Sequence, residues 1–130
     1  MIVVDASALL EVLLQTSQAE ATSKRLFRTG EMLLAPYLID VEVAQVLRRY
    51  NISGEMDDPR CREAFDDLAD MPLARYAHGF LLPRVWELRH NMTAYDAVYL
   101  ALAEALDVPL VTRDSALASA PGHKATVELL

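Results

Sequence analysis

Cysteine is nearly absent from this sequence: Cys61 is the only one among 130 residues. The chain can therefore form no internal disulfide, no zinc site built on several thiolates and no CxxC redox pair, and we expect a reducing cytoplasm as its compartment. Glycine (4) and proline (6) are also scarce, which excludes a collagen-like or low-complexity chain. No apolar run approaches the roughly 18 residues of a membrane span, so we expect no membrane insertion.

Basic residues are in the minority, with 12 Lys and Arg against 19 Asp and Glu and a net charge of −7. Proteins that coat nucleic acid through bulk electrostatics need the opposite balance. That class is excluded, whereas an enzyme that acts on nucleic acid at one site is not.

Familiar site motifs are missing as well, because the sequence contains no Walker A loop, GxGxxG, GxSxG or HExxH pattern. His78, His90 and His123 are scattered without the spacing of metal ligands. We interpret them as ordinary surface or core-edge residues, and Cys61 as a small buried side chain.

Hydrophobic residues make up 53% of the sequence. Short continuous apolar runs, typical of buried strands, alternate along the chain with longer segments in which apolar residues recur at helical spacing. This alternation predicts an α/β fold with a short, mostly parallel sheet and helices on both faces. The length fits one domain, residues 1–130. Strands are predicted at 2–4, 32–35, 73–77 and 108–112, with an edge strand at 125–130.

Helices are expected between these strands. Thr93 is a favoured N-cap for the most regular one, 93–106. Ser17 and Glu20 have the spacing of a capping box that opens a second helix, and Pro36 fits the first turn of a third. The other helices are predicted from Ser7 and over 61–71 and 80–90, with 51–59 as a loop.

Four acidic residues fall where predicted elements meet. Asp5 directly follows the first strand and Asp114 the fourth, and ligands of parallel sheets bind beyond the carboxyl ends of the strands. Asp96 falls in the first turn of the most regular helix, and Glu42 in the first two turns of the third. Each acid could instead cap a helix or face solvent.

Asp40 and Glu42 both interrupt an apolar helical run. Being two residues apart, they diverge by about 200° around the helix axis. Only one of them can face a common pocket, and the spacing leaves open which.

Acids that share a cleft need a counterion. Two carboxylates about 6 Å apart repel by about 3 kcal/mol at an effective dielectric constant of about 20. A cluster therefore takes up protons or binds a divalent cation, and ligand sets made only of oxygen favour Mg²⁺ or Mn²⁺. Such ions most often serve phosphoryl chemistry.

Four segments, each containing one of the four acids, follow one another along the chain at 2–10, 35–49, 93–103 and 110–114. In their order and spacing they resemble the PIN-domain nucleases and specifically the VapC-type toxins of bacterial toxin–antitoxin pairs. The resemblance selects Glu42 over Asp40 as the second acid. Ser115 and Ala116 stand where some members have a further acid, so the resemblance implies a first metal ion and leaves a second one open.

On this resemblance we expect a PIN-like three-layer fold and a Mg²⁺-dependent endoribonuclease, with Mn²⁺ as a substitute ion. Asp5 and Asp96 would be the main metal ligands, and Glu42 and Asp114 would complete the catalytic pocket. The implied partners are an RNA substrate and an antitoxin protein, in a homodimer or a toxin–antitoxin hetero-oligomer. The candidates for orienting the acids are Ser7 and Thr112, and those for contacting phosphate are Arg48, Arg49, Arg89 and Arg113.

Two alternative functions stay open. One is another Mg²⁺-dependent phosphohydrolase or a receiver domain, although no second acid adjoins Asp5 and the only lysines are Lys24 and Lys124. The other is a catalytically weak PIN fold that binds RNA or a protein. The presence of all four acids favours the enzyme.

Overall fold

The computed structural model describes residues 1–130 and is built on one five-stranded sheet. The strands are β1 (Ile2–Val4), β2 (Leu33–Pro36), β3 (Leu73–Tyr76), β4 (Leu110–Thr112) and β5 (Val127–Leu129). They lie in the order β3-β2-β1-β4-β5, and every neighbouring pair is parallel. The predicted parallel sheet is confirmed, with all five strands near their expected positions.

The helices form two groups. The helices α1 (Ala6–Leu13), α2 (Ala19–Leu26), α3 (Leu38–Ile52) and α4 (Asp58–Asp70) make up the first, and α1 contacts the other three. The second contains α5 (Leu82–Glu87) and α6 (Ala94–Leu106), and α6 packs on β1, β2 and β4. The short α7 (Ser115–Ala118) follows β4. The sheet thus lies between two helical layers, as predicted. None of the helices combines the length and apolar character needed to cross a bilayer.

The core is centred on β1 and α6. All three residues of β1 are buried, as expected of a central parallel strand. In α6 the seven consecutive residues 97–103 are buried, so this helix is enclosed on most of its circumference. The ends of these two elements therefore have fixed positions relative to each other, and these ends carry Asp5 and Asp96.

Two of the predicted helix starts are wrong. Pro36 is the last residue of β2 rather than the first turn of a helix, and α3 begins at Leu38. The fixed φ of proline suits a strand end as well as a helix start, and here the N–H of Tyr37 donates to Tyr76 O, at 2.9 Å. The Ser17–Glu20 capping box does not form, because α2 has Gln18 as its N-cap, without a side-chain hydrogen bond.

Other boundaries shift by a few residues. The predicted loop 51–59 is shorter, because α3 continues to Ile52 and α4 starts at Asp58 after the N-cap Asp57. The predicted helix 80–90 is divided into a 3₁₀ turn and the two-turn α5. The Thr93 N-cap is confirmed, since its hydroxyl accepts from the N–H of Asp96 at 3.2 Å. Cys61 is buried, as expected.

Candidate functional site

Asp5 lies just past the end of β1 and is only 5% exposed. Its Oδ1 accepts hydrogen bonds from Ser7 Oγ (2.7 Å) and from the N–H of Ala8 (3.1 Å). Its Oδ2 accepts from Thr112 Oγ1 at 2.6 Å. Asp5 is therefore the N-cap of α1, as one interpretation of the sequence proposed. It is also the most deeply buried acid at the carboxyl edge of the sheet.

The hydroxyls of Ser7 and Thr112 are themselves held by the backbone that follows β4. Ser7 Oγ accepts from the N–H of Arg113 at 3.0 Å, and Thr112 Oγ1 accepts from the N–H of Asp114 at 2.9 Å. Each hydroxyl thus accepts a hydrogen bond from a backbone N–H and donates one to the Asp5 carboxylate. This arrangement fixes the plane of that carboxylate.

Asp114 lies directly after β4 and caps α7. Its Oδ1 accepts from the N–H groups of Ala116 (2.9 Å) and Leu117 (3.3 Å). The capping interpretation of Asp114 therefore holds for one oxygen. Its Oδ2 makes no hydrogen bond within the protein.

Glu42 is half-buried in the second turn of α3. Its Oε1 accepts from the hydroxyl of Tyr99 at 2.6 Å. Tyr99 lies on α6 and is 2% exposed. Sequence reasoning missed Tyr99, although a tyrosine within the apolar stretch 97–103 is itself a signal, because a buried hydroxyl needs a partner.

Asp96 is half-buried in the first turn of α6. Its backbone N–H is bound by Thr93. Its carboxylate forms no ion pair, and neither do those of Asp5, Glu42 and Asp114. The negative charge of this group of acids is thus not compensated by any arginine or lysine.

Burial and neighbouring charges raise the pKa values of Asp5, Glu42 and Asp96. Burial raises the pKa of Asp5, against the hydrogen bonds from Thr112, Ser7 and Ala8, and the charge of Asp114 raises it further. Burial likewise raises the pKa values of Glu42 and Asp96. The charges of Asp5 and Asp96 add to the effect at Glu42, and those of Asp114 and Asp5 at Asp96.

We call Asp5, Glu42, Asp96 and Asp114 the acid cluster. Its members come from four separate segments and lie within electrostatic range of one another at the carboxyl edge of the sheet. The available donors are carboxylate oxygens, which fit a hard divalent cation in kind. In their present positions no three His, Cys, Asp or Glu side chains in the structure converge closely enough to hold an ion.

Asp40 lies outside the acid cluster. Its two oxygens accept from Arg75 Nη2 and Nε, at 2.9 and 2.8 Å. Of the two acids that helix geometry could not separate, Glu42 lies near Asp5 and Asp96, whereas Asp40 is bound to Arg75 of β3.

The four arginines proposed as phosphate contacts are dispersed. Arg113 Nε lies 3.8 Å from Glu11 Oε1, and the guanidinium carbon of Arg89 lies 4.7 Å from the centre of the Trp86 ring. Arg48 and Arg49 are exposed on α3. The structure brings none of the four into an ion pair with the acid cluster.

A groove of about 500 Å³ adjoins the acid cluster between α1 and α3. Ser7 and Glu42 belong to both the groove and the site. The remaining lining is mostly apolar, and Val41 and Tyr95 in it are 67% and 62% exposed. A separate depression near Glu104 and Lys124 contains none of the four acids.

Comparison with known proteins gives a consistent result. The family model for the PIN domain matches residues 2–122. Ribonuclease VapC1 of Mycobacterium tuberculosis is 42% identical over 129 residues, covering 98% of this chain and 96% of that protein.

Solved structures support the same fold. VapBC2 from Rickettsia felis, bound to a DNA fragment from its promoter, matches with a TM-score of 0.70 at 14% identity, covering 99% of this chain and 98% of that one. A toxin–antitoxin complex from Klebsiella pneumoniae matches with a TM-score of 0.68 at 16% identity, covering 92% and 91%. The family match extends over nearly the whole chain and includes all four acids of the cluster, so this chain belongs to the PIN domain family, within its VapC group.

Proposed function

We propose that this protein is an endoribonuclease that hydrolyses RNA phosphodiester bonds at the acid cluster. The observation that carries the proposal is that Asp5, Glu42, Asp96 and Asp114 lie near one another at one edge of the sheet, and that none of them forms an ion pair with an arginine or a lysine. A relative that is 42% identical over nearly its full length is named a ribonuclease. Membership in the PIN family removes the phosphatase and receiver alternatives.

Asp5 and Asp96 are the proposed main ligands of a Mg²⁺ ion, for which Mn²⁺ can substitute, and Glu42 and Asp114 complete the pocket. Such an ion, when bound, polarises a phosphate and neutralises its charge. Ser7 and Thr112 keep the buried Asp5 carboxylate oriented by their hydrogen bonds to its two oxygens. Asp114 Oδ2, which is free of hydrogen bonds, would orient the attacking water and take its proton as the new P–O bond forms, while the P–O bond to the leaving ribose oxygen breaks and that oxygen takes a proton from solvent.

We further propose that the protein is the toxin of a toxin–antitoxin pair. The fold is shared with proteins solved in such complexes. The groove beside the acid cluster suits an antitoxin segment that combines apolar side chains with a basic one, since apolar lining and uncompensated carboxylates lie next to each other. Assembly as a homodimer or as a toxin–antitoxin hetero-oligomer is part of the same proposal.

The test is cleavage of end-labelled RNA by the purified protein with Mg²⁺ or Mn²⁺. We expect cleavage that EDTA abolishes and that Asp96→Asn eliminates. Cleavage that persists unchanged in EDTA would contradict the metal mechanism. RNA binding without cleavage would identify a binding module instead.

A second experiment addresses the toxin role. The protein is induced in cells with and without the product of its neighbouring gene, and new RNA ends are mapped. We expect new ends only when the neighbour is absent. Ends that appear equally in both cultures would contradict the antitoxin part of the proposal.

A further inference from the structure

The hydrogen bond between Tyr99 and Glu42 differs from the other polar contacts of the protein, because its donor is a tyrosine hydroxyl. Of the five tyrosines, only Tyr99 makes a hydrogen bond with its hydroxyl inside the protein. That bond, at 2.6 Å to Oε1, is also the only hydrogen bond on the Glu42 side chain, so Oε2 is unbonded.

This bond joins the two helical layers. Glu42 belongs to α3 in the first group of helices, and Tyr99 belongs to α6 in the second. On α6, Tyr99 follows Asp96 by three residues, which places both side chains on the same helix face. One hydrogen bond therefore fixes Glu42 relative to the helix that carries another member of the acid cluster.

The identity of the donor is informative. A phenol donates a hydrogen bond to a carboxylate and leaves its negative charge intact, whereas an arginine would neutralise it. Asp40, two residues before Glu42, is neutralised in this way, because Arg75 donates to both of its carboxylate oxygens. The chain thus holds Glu42 in place without cancelling the charge that a cation site requires.

We propose that Tyr99 is a positioning residue for metal binding, which keeps Glu42 beside the acid cluster with Oε2 free, so that this oxygen is available when the carboxylates close on an ion. This inference rests on the proposed function and assigns Tyr99 no contact with the substrate. Without the hydroxyl, the half-buried Glu42 carboxylate loses its only donor while it remains beside the charges of Asp5 and Asp96. It then turns into the open groove, away from the cluster.

The test is the affinity of the full-length protein for Mn²⁺, measured by calorimetry in the absence of RNA. We expect Tyr99→Phe to weaken binding about 10-fold, the lower end of the effect of removing a group that orients a metal ligand. The matched control is Tyr50→Phe, which removes a hydroxyl without a hydrogen bond from α3, the helix that carries Glu42, at a position outside both the groove and the acid cluster. This control should bind Mn²⁺ within about twofold of the wild type.

A double-mutant cycle separates positioning from a general structural effect. In a Glu42→Ala background, Tyr99→Phe should cause no further loss of Mn²⁺ affinity. An equal loss in both backgrounds would show that Tyr99 acts through the fold, and would overturn the inference. Unchanged or tighter binding by Tyr99→Phe alone would also overturn it.

A second measurement needs no variant and covers the case in which Tyr99→Phe does not fold. Titration of the wild-type protein with Mn²⁺ should change its tyrosine ultraviolet absorption, because the Tyr99 hydroxyl is bonded to a ligand of the ion. Binding without a spectral change would contradict the inference alone. A wild type that neither binds Mn²⁺ nor cleaves RNA would refute the proposed function and this inference together.

Discussion

Asp40 and Glu42 are two residues apart on α3, and their carboxylates have opposite environments. Asp40 is neutralised by the two-pronged ion pair with Arg75. Glu42 accepts one bond from a neutral donor, and burial and the charges of Asp5 and Asp96 raise its pKa. The pair provides two acids of one helix in contrasting surroundings.

This difference predicts opposite effects of matched substitutions. Glu42→Gln should lower RNA cleavage by about 10²-fold or more, the scale for loss of a group acting at the reacting atoms. Asp40→Asn should leave cleavage largely intact and should cost about 0.5–1 kcal/mol of folding free energy, because it weakens a partly exposed ion pair. Cleavage rates and denaturant melts of both variants check this. Equal loss of cleavage in both would contradict the assignment of Glu42.

Asp96→Asn should make the metal-free protein more stable. It removes one of several carboxylates that repel one another at neutral pH, a relief of about 1 kcal/mol, or a rise in Tm of about 3–5 °C for a chain of this size. Mg²⁺ should raise the Tm of the wild type, because the unfolded chain has no assembled site, and should raise that of the variant less.

The alternative in which Asp96 only favours the start of α6 predicts the opposite sign. Asp96→Asn would then cost a few tenths to about 1 kcal/mol, and its Mg²⁺ response would equal that of the wild type. Melting curves in EDTA and in Mg²⁺ separate the two cases.

Thr112→Val should destabilise the protein, because it removes the donor to Asp5 Oδ2 from a site that is 0% exposed. Loss of one partner of a buried carboxylate costs about 1–3 kcal/mol. Thr112→Ser retains the hydroxyl and should cost less than Thr112→Val. Urea denaturation of the three proteins provides the measurement, and a Thr112→Val variant as stable as Thr112→Ser would contradict the role of the hydrogen bond.

The ion pair between Arg84 and Glu104 predicts a pH dependence away from the acid cluster. Arg84, with bonds of 2.8 and 3.1 Å, holds the pKa of Glu104 below its usual value. A lowered pKa in the folded state means that the stabilisation is fully present above the unfolded pKa, about 4.3, and is lost as pH falls through the folded value.

Glu104→Gln should therefore lower stability at pH 7 by about 1 kcal/mol and should have little effect below about pH 3. Glu87→Gln is the control, because Glu87 also pairs with Arg84 but its side chain is 64% exposed. Thermal melts of the three proteins across this pH range provide the measurement. A difference in stability between the wild type and Glu104→Gln that stays constant with pH would contradict the role of Glu104 ionisation.

The sheet and the site edge were predictable because they depend on local patterns. Buried parallel strands are short apolar runs, and an acid directly after such a run falls at the carboxyl edge whatever the strand order. Asp5 and Asp114 could therefore be assigned to one region from sequence. The choice of Glu42 over Asp40 needed either the family resemblance or the position of Arg75, which lies 35 residues further along the chain.

The features that sequence reasoning missed depend on distant contacts. The partner of Tyr99 is 57 residues away, so no local pattern indicates it. Another contact of this kind is made by the buried Arg25 at the end of α2, which pairs with Glu128, 103 residues later, at 2.6 and 2.7 Å.

The hydrogen bond from Thr112 to Asp5 spans 107 residues and ties the first strand of the chain to the fourth. A ribosome that adds about 5–20 residues per second makes Thr112 roughly 5–20 s after Asp5. During that interval β1 has only β2 and not β4 as a neighbour, and Asp114 does not yet exist. A nascent chain that ends before Asp114 therefore has no complete acid cluster, so translation through residue 114 precedes any activity at this site.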